Sequence, residues 1–114
     1  MSRSNQLFKG SLNTILLKML GENDRMYGYE ITRKVMELSG DKIQLTEGAL
    51  YPALHRLEAD GLLEVTIEKV GNRNRKYYSL TKKGKTESKL MIKEITGFIE
   101  QMQHILQLKP AVIK

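Results

Sequence analysis

The chain has no cysteine, no tryptophan and only two prolines among its 114 residues. Without cysteine there is no disulfide framework, no thiolate metal site and no thiol nucleophile. No stretch approaches the run of about 18 apolar residues that a membrane span requires, and Arg3 is followed by no signal-like apolar segment. The expectation is a cytoplasmic protein, neither exported nor membrane-embedded. Catalytic signatures are missing too. The two histidines, His55 and His104, fall on different expected helices without carboxylates at metal-binding spacing, and no phosphate loop, nucleophile motif or carboxylate pair is present. The acids of GENDRMYG lack the ligand pattern of a calcium loop. No enzymatic activity, cofactor or metal is expected.

What is there is a basic, foldable composition. With 40% hydrophobic and 28% charged residues the chain is globular rather than disordered. Its length suits one folded unit that buries about 65% of its unfolded surface. Nineteen Lys and Arg against thirteen Asp and Glu give a net charge of +6 and a pI near 9.6, which favours a polyanionic partner.

The polar residues 1–6 read as a frayed start. From Leu7 to Leu20 the apolar residues Phe8, Leu12, Ile15, Leu16, Met19 and Leu20 recur at helical spacing, stopped by Gly21. In MYGYEITRKVMELSG, Ile31, Val35 and Leu38 share one face of a second helix ended by Gly40. KIQL reads as a short isolated strand. TEGALYPALHRLEADG is a third helix, with Thr46 as N-cap, Leu50, Ala53, Leu54 and Leu57 on its inner side and Gly61 as its stop. The period then becomes two. Leu63, Val65 and Ile67 alternate with polar residues, KVGNRN returns the chain, and Tyr78 and Leu80 face inward while Arg75 and Tyr77 face out. Thr81 caps a final helix to about Leu108, ahead of Pro110. Three helices, a hairpin and a long fourth helix make a mainly α protein with a small β-hairpin, in the winged helix-turn-helix order with an added C-terminal helix.

Two features carry function. On the third helix Gly48 and Ala49 keep the outer N-terminal half slim, while Tyr51, His55 and Arg56 can reach outward, as entry into a major groove requires. Glu47, Glu58 and Asp60 dilute its charge, so by itself it also reads as an ordinary core helix with a small solvent face. The hairpin adds Lys69, Arg73, Arg75 and Lys76 within eight residues that contain no acid. A tip of single sign suits a phosphate backbone, where neutralisation releases counterions. Inside the third helix stands Pro52, which removes one backbone hydrogen bond and crowds the Gly48 carbonyl. The expected result is an outward-facing kink that tilts the first turn.

YGYEI at 27–31, EGALYPALHRLEADGLL at 47–63 and RKYYSLTKKGK at 75–85 resemble the PadR family of bacterial transcriptional regulators, in its short form with a single C-terminal helix. The likeness runs from about Leu7 to Leu90. It implies a winged helix-turn-helix DNA-binding domain over residues 1–80, a C-terminal dimerisation helix and tail over 81–114, and repression relieved by a small-molecule or stress signal. It places Tyr51, His55 and Arg56 on a recognition helix, Thr46 near phosphate at its N-terminus, and Arg73, Arg75 and Lys76 as wing contacts. Tyr29, at the start of the second helix, reads as packed rather than reaching the DNA backbone.

The last helix agrees on physical grounds. Met91, Ile95, Phe98, Met102 and Ile105 form one row, with Ile92, Ile99 and Leu106 beside it, and a domain this small cannot cover so wide a stripe. Self-association covers it; folding back onto the monomer is the alternative. A two-fold dimer sets two recognition helices about 34 Å apart and implies a pseudo-palindromic operator. The resemblance also implies a small apolar or aromatic effector between protomers, among Leu12, Ile15, Met91, Ile95, Phe98 and Met102, although methionine at such spacing also reads as plain core. Phe98 is the only aromatic of that last helix. The competing reading is a winged-helix protein-interaction module, since fold does not fix function. An architectural protein that coats DNA without preference is a third.

Overall fold

A computed structural model describes residue 8 and residues 10–109. Residues 1–6, Leu7 and Pro110, on which the sequence reading placed a frayed start, a helix start and a stop, lie outside the described residues. Six elements follow in order: α1 (Leu12–Glu22), α2 (Gly28–Leu38), α3 (Glu47–Ala59), β1 (Leu63–Val70), β2 (Arg73–Leu80) and α4 (Lys82–Leu106). The protein is mainly helical with one two-stranded antiparallel sheet, as the sequence order implied.

The core forms where the helical faces converge. Leu16 and Leu17 of α1, Ile31 of α2 and Leu50 and Leu54 of α3 are fully buried, with Tyr78 of β2 closing the cluster at 1% exposure. Each such side chain contributes about 1.5–3 kcal/mol through removal from water. Thr46 and Thr81 cap α3 and α4 by accepting from the backbone N–H of Ala49 (3.2 Å) and Gly84 (3.0 Å). α3 runs unbroken past Pro52, which is exposed. The two strands pair from Leu63 opposite Leu80 to Val70 opposite Arg73, so only Gly71 and Asn72 remain to turn the chain. Gly71 has φ 63° and Asn72 no positive φ, the pattern of a type II′ turn.

Several expectations are corrected. α1 passes through Gly21 to Glu22 rather than stopping there, because a lone glycine costs a helix only about 1 kcal/mol. Residues 42–46 form no strand: among the described residues KIQL pairs with no neighbouring edge, and only Leu45 of it is buried. Leu38 is 71% exposed although Ile31 and Val35 of the same face are buried, because the last turn of α2 runs past the body. Ile67 is 58% exposed for the same reason on β1. The loop expected at 69–74 is mostly strand.

The molecule measures 54 × 29 × 29 Å. Its first half of α4 lies against α1, with Ser88 buried and Met91 packed on the core. Its second half does not fold back: Phe98, Ile99, Ile105 and Leu106 are 50–72% exposed.

Candidate nucleic-acid interface

The outer side of α3 is assembled by its inner one. Because Leu50, Ala53, Leu54 and Leu57 are anchored in the core, the intervening Gly48, Pro52, His55 and Arg56 are exposed. Thr46, also exposed, holds the first turn through its cap. Arg56 is the basic side chain of this surface, and Glu47 stands in the first turn.

Tyr51 behaves differently from the outward reader expected of it. It is half-buried and packs against the core cluster, with its hydroxyl seated directly on Gly28 at the start of α2. A methyl group on Gly28 would overlap that hydroxyl, so any larger residue there would push the Tyr51 ring off its seat. The ring centroid of His55 lies 6.3 Å from that of Tyr51. Of the three expected readers, His55 and Arg56 are free side chains and Tyr51 is a contact between α2 and α3.

The wing cations divide by face. Strand alternation puts Arg73 and Arg75 on one side of the hairpin and Lys76, with Lys69 across from Asn74, on the other. Lys69, Arg73 and Lys76 are exposed. Arg75 is half-buried, its guanidinium 4.1 Å from the centroid of the Tyr27 ring. Stacking occupies the face of the guanidinium and leaves its N–H edge available. The Tyr77 hydroxyl raises its pKa above the ordinary value, partial burial opposes this, and the hydroxyl of Tyr27 adds to the rise.

Sequence reasoning missed the arrangement that holds this region together. Met26 forms an antiparallel bridge with Tyr78, each N–H donating to the other's carbonyl at 3.0 and 2.8 Å. Both side chains point into the core, so their neighbours Arg25, Tyr27 and Tyr77 emerge on the opposite face. There Arg25 lies 4.0 Å above the Tyr77 ring, and Tyr27 meets Tyr77 edge-on at 5.6 Å. Arg25 also donates two hydrogen bonds to Glu68, at 2.7 and 2.9 Å. The bidentate contact raises the Arg25 pKa and holds the Glu68 carboxyl below the usual carboxylate range. Arg25 and Glu68 stand 43 residues apart, and local periodicity carries no signal for such a pair. Tyr29, expected to be packed, is 61% exposed beside Arg33, because Tyr27 takes the packed position.

A second surface lies on the far side. Ile15, Met19, Val35, Leu38, Ile43, Ile92 and Ile95 line a groove of about 640 Å³ between α1, α2 and α4. Of the residues expected at an effector pocket or dimer interface, Ile15 and Ile95 lie in this groove. Leu12 does not: it is 6% exposed and borders instead a separate pocket at the start of α3, beside Thr46, Gly48 and Arg56. Met91 packs beside the core, whereas Phe98 and Met102 lie farther along α4. Among the described residues no three His, Asp or Glu side chains converge as a metal site, and no helix is long and apolar enough to cross a membrane.

Comparison with known proteins places this geometry. A family model described as the transcriptional regulator PadR-like family matches residues 16–90. An uncharacterized protein of Lysinibacillus sphaericus is 35% identical over 89 residues, which is 77% of this chain and 81% of that relative. The transcriptional regulator Rv3488 of Mycobacterium tuberculosis is 42% identical over 62 residues, covering 52% of this chain and 58% of its own. Among solved structures, a transcriptional regulator from Clostridium thermocellum superposes with a TM-score of 0.79 at 26% identity, covering 91% of this chain and 96% of the other. A PadR-like transcriptional regulator from Bacillus cereus gives 0.72 at 27% identity, covering 92% and 99%.

Proposed function

Because the chain belongs to the PadR-like family of transcriptional regulators, we propose that it is a cytoplasmic, homodimeric repressor that binds a pseudo-palindromic operator in double-stranded DNA and is released by a small-molecule or stress signal. Residues 1–80 are the DNA-binding part and residues 81–114 the dimerisation helix and tail. The observation that carries the reading is the adjacency in the chain of a capped helix with a slim, exposed outer side and a hairpin whose tip holds cations and no acid. In this reading His55 and Arg56 meet base edges or phosphates, Thr46 lies by phosphate at the start of α3, and Arg73, Arg75 and Lys76 follow the backbone. Tyr51 supports them by holding α3 on α2.

The exposed apolar half of α4 supports self-association, since a patch of this kind is rarely left to water. A partner's α4 covers Phe98, Ile99 and Ile105, and the groove beside Ile15 and Ile95 then takes an apolar or aromatic effector at the junction. Pro52 sets the docking angle of the first turn of α3. Pro52→Ala raises stability while weakening operator binding; unchanged binding would remove that role from the proline.

Gel shift with the DNA upstream of the protein's own gene, with and without unrelated competitor duplex, tests the reading. A discrete shift that survives competitor is expected. A shift that competitor abolishes indicates a coating protein, and no shift at all favours a protein-interaction module built on the same surfaces.

A further inference from the structure

The contacts between the wing and the start of α2 form a continuous chain of packing. Glu68 of β1 holds Arg25 through two hydrogen bonds, and Arg25 covers the Tyr77 ring of β2. Tyr77 meets the edge of Tyr27, whose face carries Arg75. Tyr27 is the N-cap of α2, fixed by its backbone N–H donating to the Glu30 carboxylate at 3.1 Å. The next residue, Gly28, is the seat of Tyr51 on α3. The hairpin is thus tied to the helix expected in the major groove through side chains, in addition to the shared core at Tyr78.

Two features make this more than surface decoration. The pair is bidentate, which constrains orientation as well as distance. It also places an acid, Glu68, directly across from Arg75, on the hairpin face that carries Arg73 and Arg75. An acid there repels phosphate, so on electrostatic grounds alone its removal strengthens DNA binding. A carboxylate at this position makes sense if its work is geometric.

We propose that Arg25 and Glu68 are positioning residues for DNA recognition: with Tyr27 and Tyr77 they brace the wing at a fixed angle to α3, so that the wing and the helix engage one duplex together. The proposal rests on the DNA-binding reading above. Arg25 is neutralised within the brace and is not one of the phosphate contacts.

Charge reversal separates geometry from electrostatics. Glu68→Arg, Arg25→Glu and the exchanged pair are compared with the parent chain by fluorescence anisotropy on the operator and on an unrelated duplex at fixed salt. Glu68→Arg makes the wing more positive, so it is expected to bind the unrelated duplex as well as or better than the parent. Its operator affinity is expected to fall about tenfold, and the exchanged pair, which restores the ion pair in reverse, to recover most of that loss. Operator binding by Glu68→Arg that tightens in step with the unrelated duplex would overturn the proposal, as would an exchanged pair no better than Glu68→Arg. Amide hydrogen exchange across residues 63–80 supplies a readout free of DNA. Faster exchange in both single variants and parental exchange in the exchanged pair are expected, and unchanged exchange in the single variants would overturn the brace. Failure of the parent chain to bind any duplex would overturn the DNA-binding reading itself, whatever the exchange pattern.

Discussion

Two arms leave the body of this molecule, and their surfaces are opposite in kind. The wing extends beyond Tyr78 with Lys69, Arg73 and Lys76 exposed around a two-residue turn. The second half of α4 extends beyond Met91 with Phe98, Ile99, Ile105 and Leu106 exposed. Water alone selects neither surface. A turn that merely had to be soluble would mix its charges, and a helix that merely had to be soluble would not carry a row of large apolar side chains. In the function proposed above the arms take different partners: a polyanion for the wing, and an apolar surface for α4.

The most severe way to break the comparison is to make the second arm resemble the first. Phe98→Glu combined with Ile105→Glu is expected to convert the dimer to monomer in sedimentation equilibrium, because a charge buried without a partner is not tolerated at an interface. Losing one of two linked half-sites then lowers operator affinity by about 10² or more. A dimer that persists through both changes would show that α4 does not make the interface.

The arms also differ from the body in what a truncation costs. Leu54 has no exposure, and Leu54→Ala is expected to lower stability by about 2–5 kcal/mol in urea unfolding. Ile105 is 72% exposed, and Ile105→Ala measured under conditions where the chain is monomeric is expected to change stability by less than about 0.5 kcal/mol. Similar losses at the two sites would mean that the end of α4 is packed within the monomer.

A smaller effect sharpens the role of the wing. Arg73→Ala removes an exposed cation next to the turn, and is expected to weaken binding to all duplexes alike and to reduce the log-log salt slope by about 0.9 for each protomer. A change in preference among sequences without a change in slope would make Arg73 a base reader instead. His55→Ala is expected to do the reverse, altering preference among sites with less effect on slope.

The mildest expected effect concerns pH. The Glu68 carboxyl is held below its ordinary value by Arg25, so the folded state favours its ionised form. That contribution is fully present above the usual carboxylate range and is lost as pH falls through the lowered folded value. Protection of the hairpin amides is therefore expected to be flat through neutrality and to decline in acid, and Glu68→Gln to remove that decline. A parent chain and Glu68→Gln with the same acid profile would contradict the assignment.

Legibility in the sequence followed the range of the interaction. The caps at Thr46 and Thr81, the inner face of α3 and the inward Tyr78 and Leu80 are set by neighbours within a few residues or by strand alternation, and periodicity reports them. Leu38 and Ile67 obey the same periodicity yet are exposed, since periodicity assigns a face but not how far the body extends beneath it. Leu12, expected at an effector pocket or dimer interface, is largely buried and shows only its edge to a pocket beside α3, for a related reason: a wide apolar stripe does not say which part a neighbouring helix covers. At the candidate site, His55 and Arg56 were legible as outward residues of α3, whereas Tyr51 was not, because its seat is a missing side chain on Gly28. The brace of Arg25, Glu68, Tyr27 and Tyr77 left no trace in the spacing, since it depends on the isolated bridge between Met26 and Tyr78.

The central claim is that the acid-free tip of the wing and the outer side of α3 meet a duplex. Its most direct test is the salt dependence of binding to the DNA upstream of the protein's own gene, followed by fluorescence anisotropy. Four wing cations in each of two protomers allow about eight phosphate contacts, so the log-log slope is expected to be steeply negative, reaching about −7 at most. A specific complex whose affinity is indifferent to salt would contradict the assignment of the wing and the account built on it.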